Sequence, residues 1–148
     1  MKVAIAGAGA VGRSIARELL VNRHEVTLFE RKSAHIAPAA VADANWVQAD
    51  AWELSNLECA ELQTYDVMVA ATGDDKANLV VSLLAKTEFA VNRVVARVND
   101  PRNEWLFDED WGVDVAVSTP RILASLVEEA VSESKAATVA IASAKASI

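Results

Sequence analysis

The sequence predicts an α/β protein with one parallel, six-stranded sheet that is covered by helices on both faces. Short apolar runs rich in β-branched residues alternate with longer segments of helical period, which is typical of such a sheet. The chain has 148 residues, 53% of them hydrophobic, which suits one core. A glycine-rich turn separates the first run from the first helical segment. The predicted strands are Lys2–Ala6, Glu25–Phe29, Trp46–Gln48, Asp66–Ala71, Arg93–Val98 and Asp114–Val117.

Helices are predicted between the strands, because parallel neighbours need long crossover connections. The first helix spans Val11 to Val21, where apolar residues recur on one stripe. Apolar residues repeat with helical spacing again after the fourth strand, and a shorter helix is predicted over Asn103–Phe107. The apolar stripe of the first helix consists of Val11, Ile15, Leu19 and Leu20, and that of the helix after the fourth strand consists of Leu79, Val80, Leu83 and Leu84.

A final helix is predicted after the sixth strand, where Ser118-Thr119-Pro120 offers an N-cap followed by a proline near the first helical position. Its apolar face is broad, so we expect contact with a second subunit, while completion of its own domain is equally open. That face consists of Ile122, Leu123, Leu126, Val127, Ala130 and Val131. Residues 1–134 therefore form the predicted domain, and residues 135–148, rich in Ala, Ser and Lys, a low-complexity tail or truncated linker.

Composition excludes several classes of protein. The net charge of −7 disfavours nucleic-acid binding, which needs clustered Lys and Arg. Cys59 is the single cysteine, so no disulfide forms within the chain, and we interpret it as a small packing residue. The N-terminal apolar run is too short for a membrane span, and no direct membrane insertion is expected.

The turn after the first strand has the pattern Gly-x-Gly-x-x-Gly, and its residues are Gly7, Ala8, Gly9, Ala10, Val11 and Gly12. In this strand-turn-helix context the first glycine permits the turn, the second lets a pyrophosphate approach the backbone, and the third lets helix and strand pack closely. A bound phosphate is favoured at the helix N-terminus. The pattern predicts a Rossmann-like, doubly wound sheet of strand order 3-2-1-4-5-6.

An acidic residue follows at the end of the second strand. Glu30 lies eighteen residues after Gly12, where a carboxylate accepts hydrogen bonds from the ribose hydroxyls of an adenosine and repels a 2′-phosphate. NAD, or another adenosine nucleotide with a free ribose, is therefore favoured over NADP as ligand. Arg31 and Lys32 come directly after Glu30, and because a cationic side chain accommodates a 2′-phosphate, NADP stays an alternative ligand.

Other strand ends carry polar residues, and ligands of open α/β sheets lie beyond these ends. Asp50 and Ala51 are expected near the adenine, and Thr72 and Gly73 along the pyrophosphate. Asp74, Asp75 and Asn78 are expected either to contact the ligand or to cap the following helix. Arg97 lies in an apolar strand, so its expected partner is a phosphate, Glu30 or another carboxylate.

No catalytic or metal-binding pattern accompanies the glycine turn, so we predict that the chain is not an enzyme. His24 and His35 are interpreted as surface residues. The tryptophans are interpreted as core or interface anchors, and they are Trp46, Trp52, Trp105 and Trp111. Two alternatives stay open, namely a small NAD(P)-dependent oxidoreductase or its cofactor domain, and an interaction module without a ligand.

Taken together, several motifs resemble the RCK N-terminal domain, the regulator of K⁺ conductance found in Trk and Ktr potassium-uptake regulators, over about residues 1–134. The resemblance is to the actinobacterial Trk type. The motifs are Lys2–Gly12, Asp50-Ala51, Thr72–Leu79, Leu84–Phe89, Ala96–Asn99 and Gly112–Asp114. It implies a cytoplasmic regulatory subunit, peripheral to the inner face of the plasma membrane, that binds NAD(H) or ADP/ATP. The ligand contacts it implies are Gly7 to Val11, Glu30, Thr72, Gly73 and Arg97.

The resemblance also implies partners, namely an integral-membrane Trk/Ktr potassium channel subunit and further copies or paralogues of the regulatory subunit. Two residues depart from the family pattern. Ala10 stands where ATP-responsive relatives often have Arg, and Ala49 replaces a Gly that is common before the Asp-Ala pair. The family's C-terminal ligand domain is missing, so we expect a fragment or a shortened form.

Overall fold

The computed structural model describes the backbone of residues 1–146 and the side chains of residues 1–133. Its described strands form one six-stranded, all-parallel sheet of order β3-β2-β1-β4-β5-β6, which confirms the predicted Rossmann-like topology. The strands are β1 (Lys2–Ala6), β2 (Glu25–Glu30), β3 (Asn45–Gln48), β4 (Val67–Ala70), β5 (Arg93–Val98) and β6 (Val115–Ser118). The helices are α1 (Ala10–Val21), α2 (Leu54–Cys59), α3 (Asp75–Thr87) and α4 (Thr119–Ala146).

Both faces of the sheet are buried, as the apolar runs predict. In β1, Val3 and Ile5 pack into one core cluster, whereas Ala4 and Ala6 pack into the other, because successive side chains of a strand point to opposite faces. Helix α1 contributes Ala16 to the first cluster. Helix α3 contributes several residues to the second, which are Leu79, Val81 and Ala85.

The connections differ from the predictions in two places. Helix α2 was not predicted, because its six residues are too few to show a helical period, although Leu57 is fully buried. The short helix predicted over Asn103–Phe107 is a 3-10 helix over Pro101–Leu106, which starts earlier because the Asp100 side chain accepts a hydrogen bond from the Arg102 amide at 3.0 Å.

One single-residue interpretation was wrong. Cys59 is exposed at the end of α2, where Leu57 takes the buried position. Ser118 does not cap α4 with its side chain, because the residue ends β6 beside Val98 and its buried hydroxyl forms no hydrogen bond. Trp105 is 76% exposed, whereas the other tryptophans pack partly buried against the core.

Residues 1–118 form one compact unit, and α4 belongs to a second. Helix α4 starts at Thr119 and continues to Ala146, so it is helical through most of the segment predicted as a tail or linker. The side chains of that segment and residues 147–148 lie outside the described residues. Within the part of the chain that the structure describes, no helix is both long and apolar enough to cross a membrane.

Candidate functional site

The turn between β1 and α1 needs glycine at two positions for steric reasons. Gly7 has φ of +103°, and its amide donates to the Phe29 carbonyl at 2.8 Å, which anchors the turn on β2. A Cβ on Gly12 would lie 1.8 Å from the Gly7 carbonyl oxygen, so helix and turn pack in direct contact there. These are the roles predicted for the first and third glycines.

Gly9 differs from these two glycines, because a Cβ built on it meets no atom within 4 Å. The first hydrogen bond of α1 runs from the Arg13 amide to the Gly9 carbonyl at 3.0 Å, which leaves the amides of Ala10, Val11 and Gly12 outside the helical ladder. Gly9 and Val11 both line a cavity. The turn therefore offers open space beside the positive end of a helix dipole.

This cavity, of about 470 Å³, lies where the carboxyl ends of β1, β2, β4 and β5 meet the loop after β3. Its volume falls in the usual range for small-molecule sites, and its position is that of ligands in open α/β sheets. Most predicted site residues line it, namely Gly7, Gly9, Val11, Glu30, Arg31, Ala51, Thr72, Gly73, Asp74 and Arg97.

Glu30 at the end of β2 already forms polar contacts within the chain. One carboxylate oxygen accepts from the amides of Arg31 and Lys32 at 2.8 and 3.4 Å, and the other lies 3.2 Å from His35 Nδ1. The side chain is only 12% exposed. A carboxylate offers about four acceptor sites, so Glu30 retains acceptor capacity for further donors in the cavity.

Arg97 on β5 lines the same cavity, and its Nε is buried without a hydrogen-bond partner. Among the described residues it forms no ion pair with Glu30 or with another carboxylate, so two of its three expected partners are excluded. An unpaired buried guanidinium nitrogen is costly in free energy. The Nε of Arg97 therefore lies at the cavity without a partner among the described residues.

A hydrogen-bond network joins the ends of β4 and β5. The buried Asn78 amide accepts from the Thr72 amide and hydroxyl at 3.0 and 2.6 Å, and donates to the carbonyls of Thr72 and Arg97 at 3.0 and 2.9 Å. Asn99 adds a donor to the Thr72 carbonyl at 3.0 Å. Asn78 thus positions two cavity residues and does not itself line the cavity, and the N-cap of α3 is Asp74.

The two aspartates at the start of α3 have different roles. Asp74 is the N-cap, because its side chain accepts from the Lys76 amide at 2.9 Å, and it also lines the cavity. Asp75 ties α3 to the loop after β5. Burial raises the pKa of Asp75, but hydrogen bonds from the Asn103 side chain and from the amides of Asn99 and Asp100 outweigh it, so the pKa lies below the usual value.

The remaining predicted site residues lie around the cavity without lining it. Ala8 is fully buried in the core, Ala10 is exposed at the start of α1, and Gly12 packs against Gly7. Asp50 lies 3.7 Å from the guanidinium Nε of Arg31, and its buried Oδ1 makes no hydrogen bond. For these residues the motifs identified the right segments of the chain, but none of the four lines the cavity.

Two cavity residues were interpreted differently from the sequence. His35 was expected to be a plain surface residue, yet it lines the cavity and contacts Glu30, because the 3-10 turn Ser33–His35 brings it back to the end of β2. Trp52 lines the cavity as well as packing against the core. Its place directly after the Asp50-Ala51 pair is the sequence signal that could have indicated this position.

The fold and the cavity define a Rossmann-like domain whose glycine turn opens onto the carboxyl edge of the sheet. The chain belongs to the TrkA-N domain family, whose family model matches residues 3–119. This finding confirms the resemblance to the RCK N-terminal domain and fits the actinobacterial Trk type.

Individual relatives agree with this assignment. The chain is 70% identical over 131 residues to the Trk system potassium uptake protein TrkA of Mycobacterium tuberculosis, covering 88% of this chain and 60% of that protein. It is 36% identical over 138 residues to a TrkA homologue of Methanothermobacter thermautotrophicus, covering 93% and 63%. The solved GsuK channel bound to NAD superposes with a TM-score of 0.78 at 24% identity, covering 92% of this chain and 24% of that one. The last likeness concerns the fold alone.

Proposed function

We propose that the cavity binds an adenine nucleotide with a free ribose, NAD(H) first and ADP or ATP as alternatives. The observation that carries this proposal is the buried, unpartnered Nε of Arg97 in the same cavity as the free amides of the glycine turn. Two such donor groups in one cavity favour a diphosphate, which carries negative charge along its whole length. Thr72 and Gly73 complete this phosphate-binding part of the cavity.

Glu30 is the proposed ribose-binding residue. Its remaining acceptor sites suit the 2′- and 3′-hydroxyls, which both donate hydrogen bonds. A 2′-phosphate placed beside the same carboxylate is repelled by its charge. This supports NAD(H), ADP and ATP over NADP.

We further propose that the bound nucleotide regulates a potassium uptake system. The M. tuberculosis relative is named a Trk system potassium uptake protein, and the GsuK structure is of a channel with NAD bound. The proposed partner is a separate integral-membrane Trk/Ktr channel subunit. The chain would then work in the cytoplasm, held at the inner face of the plasma membrane by that partner, and would serve as a sensor and not as an enzyme.

Helix α4 is the proposed contact between regulatory subunits, either copies of this chain or a paralogue. Five large apolar side chains on it are 47–61% exposed, and they are Ile122, Leu123, Leu126, Val127 and Val131. A cluster of this kind favours a protein interface. Regulation follows when the nucleotide binds two shapes of the assembly with unequal affinity, because only differential affinity shifts a population.

Calorimetric titration of the chain with NAD, NADH, NADP, ADP and ATP tests the ligand proposal. We expect one site per chain, and Glu30→Ala should weaken NADH binding roughly tenfold or more, since charge-assisted hydrogen bonds contribute about 1.5–3 kcal/mol each. Glu25→Ala, at the exposed opposite end of β2, is the matched control and should leave affinity unchanged. Equal loss in both variants would contradict the placement of the ribose at Glu30.

A scattering experiment tests the regulatory proposal separately. The small-angle X-ray profile of the chain with α4, recorded with NADH, ADP and ATP, should differ between nucleotides. Identical profiles together with equal affinities would rule out regulation by a change of shape in this chain.

A further inference from the structure

One wall of the cavity is formed by Arg31, which follows β2, and Trp52, in the loop after β3, and Asp50 lies beside Arg31 without lining the cavity. The Arg31 guanidinium lies over the Trp52 indole with Cζ 5.0 Å from the ring centroid. Its Nε lies 3.7 Å from Asp50 Oδ1. The distance to the ring is within the range of cation–π attraction, so the guanidinium is held by the ring and the carboxylate together.

Simple packing does not account for this wall. Trp52 packs partly buried against the core, yet it also lines the cavity, and Arg31 lines the cavity while its side chain is 53% exposed. The Asp50 oxygen that faces Arg31 is buried and makes no hydrogen bond. Among the described residues, its polar contact is therefore the ion pair with the Arg31 guanidinium. A charged planar group is thus held in place and presented to an open cavity.

The position of the wall follows from the connectivity of a nucleotide. The ribose stands between the phosphates and the base, so a ligand with phosphates at Gly9 and ribose at Glu30 extends its base away from the glycine turn. Arg31 is the next residue after Glu30, and Ala51 and Trp52 follow β3, the strand beyond β2. The wall therefore lies where the base would lie.

We propose that the Arg31 guanidinium, backed by the Trp52 indole, is the platform on which the nucleobase stacks, and that it selects purine over pyrimidine nucleotides. Guanidinium planes stack on aromatic rings, whereas the ammonium group of Lys does not. A purine offers a larger stacking surface than a pyrimidine. The inference rests on the proposed nucleotide site and adds to it the residues that recognise the base.

The competing role for Arg31 is electrostatic, namely attraction of a phosphate. The two roles separate when the affinities for ADP and UDP are compared, because both carry the same ribose and diphosphate. Arg31→Lys retains the charge and removes the flat guanidinium. Any effect on phosphate or ribose then cancels in the ADP-to-UDP affinity ratio, and an effect on the base remains.

The experiment is calorimetric titration of wild type, Arg31→Lys and Trp52→Leu with ADP and with UDP. The matched controls are Arg17→Lys, whose guanidinium bonds the Ala40 carbonyl on the surface, and Trp105→Leu, whose ring is exposed away from the cavity. Wild type should prefer ADP by about tenfold, and Arg31→Lys and Trp52→Leu should lower that ratio about fivefold, in line with measured base–aromatic stacking. The controls should keep the wild-type ratio.

Thermal unfolding shows whether each variant is folded. Arg31→Lys is the decisive variant, because the Arg31 side chain is half exposed and its replacement should leave the fold intact. An unchanged ratio in Arg31→Lys, or equal weakening of ADP and UDP, would overturn the stacking role while the nucleotide site itself stands. If wild type binds neither nucleotide, the proposed function fails, and the stacking role fails with it.

Discussion

Replacing Gly9 by Ala tests whether the glycine turn binds a phosphate or merely turns the chain. Gly9 has φ of −74° and ψ of −168°, an extended conformation that alanine adopts without strain, and an added Cβ meets nothing within 4 Å. The free energy of unfolding should therefore change by less than about 1 kcal/mol. The methyl group would, however, occupy the space that a diphosphate needs.

The expected loss of affinity follows from the amides that the methyl group would block. One charge-assisted hydrogen bond between an amide and a phosphate contributes about 1.5–3 kcal/mol, so Gly9→Ala should weaken ADP and NADH binding roughly ten- to hundredfold. The assay is calorimetric titration beside urea unfolding of the same preparation. Full affinity in a stable Gly9→Ala protein would refute the assignment of this turn to the phosphates.

Gly12→Ala provides the contrast, because its Cβ would lie 1.8 Å from the Gly7 carbonyl oxygen. Helix α1 would have to move away from the turn, at a cost of about 3 kcal/mol or more. This variant should lose stability first and affinity as a consequence. The two glycines thus separate the ligand-binding role from the packing role.

Three further predictions follow from the same contacts. Glu30→Gln should raise the NADPH-to-NADH affinity ratio at least fivefold, because it removes the charge that repels a 2′-phosphate, and an unchanged ratio in titrations would count against that role. Asn78→Ala should lower the free energy of unfolding by about 3 kcal/mol, because the carbonyls of Thr72 and Arg97 lose buried donors; a urea curve that matches wild type would contradict this. Hydrogen bonding holds the folded-state pKa of Asp75 below its unfolded value, so its contribution is present above about pH 4 and is lost as the pH falls through the folded pKa. Asp75→Asn should therefore destabilise the protein by about 2 kcal/mol at pH 7 and by much less at pH 2, and an equal loss at both pH values would show that ionisation is not involved.

The sheet could be predicted from the sequence because each strand and the first crossover are marked by residues that lie close together along the chain. Apolar runs mark the strands, the pattern from Gly7 to Gly12 marks the first crossover, and Glu30 marks the end of β2. Short elements were harder to predict. Six residues of α2 and the 3-10 turn before His35 have no period to detect, and their shapes depend on packing.

The site was predicted at the level of segments and less well at the level of side chains. Asn78 matched a family motif, but only the packing of α3 on β4 and β5 shows that its amide faces the core and joins Thr72 to Arg97. Trp52 and His35 reach the cavity through the folding of loops; Trp52 directly follows the predicted Asp50-Ala51 pair, whereas the position of His35 in the sequence gives no signal. Proximity in space is the information that a single sequence lacks.

The most direct test of the nucleotide site is a crystal structure of this chain grown with NADH. The diphosphate should lie against the amides of Gly9 to Gly12 with the Arg97 guanidinium within hydrogen-bond distance, and the adenosine ribose should lie on Glu30. A crystal in which that cavity stays empty at saturating NADH, or in which the dinucleotide binds elsewhere, would contradict the proposed site.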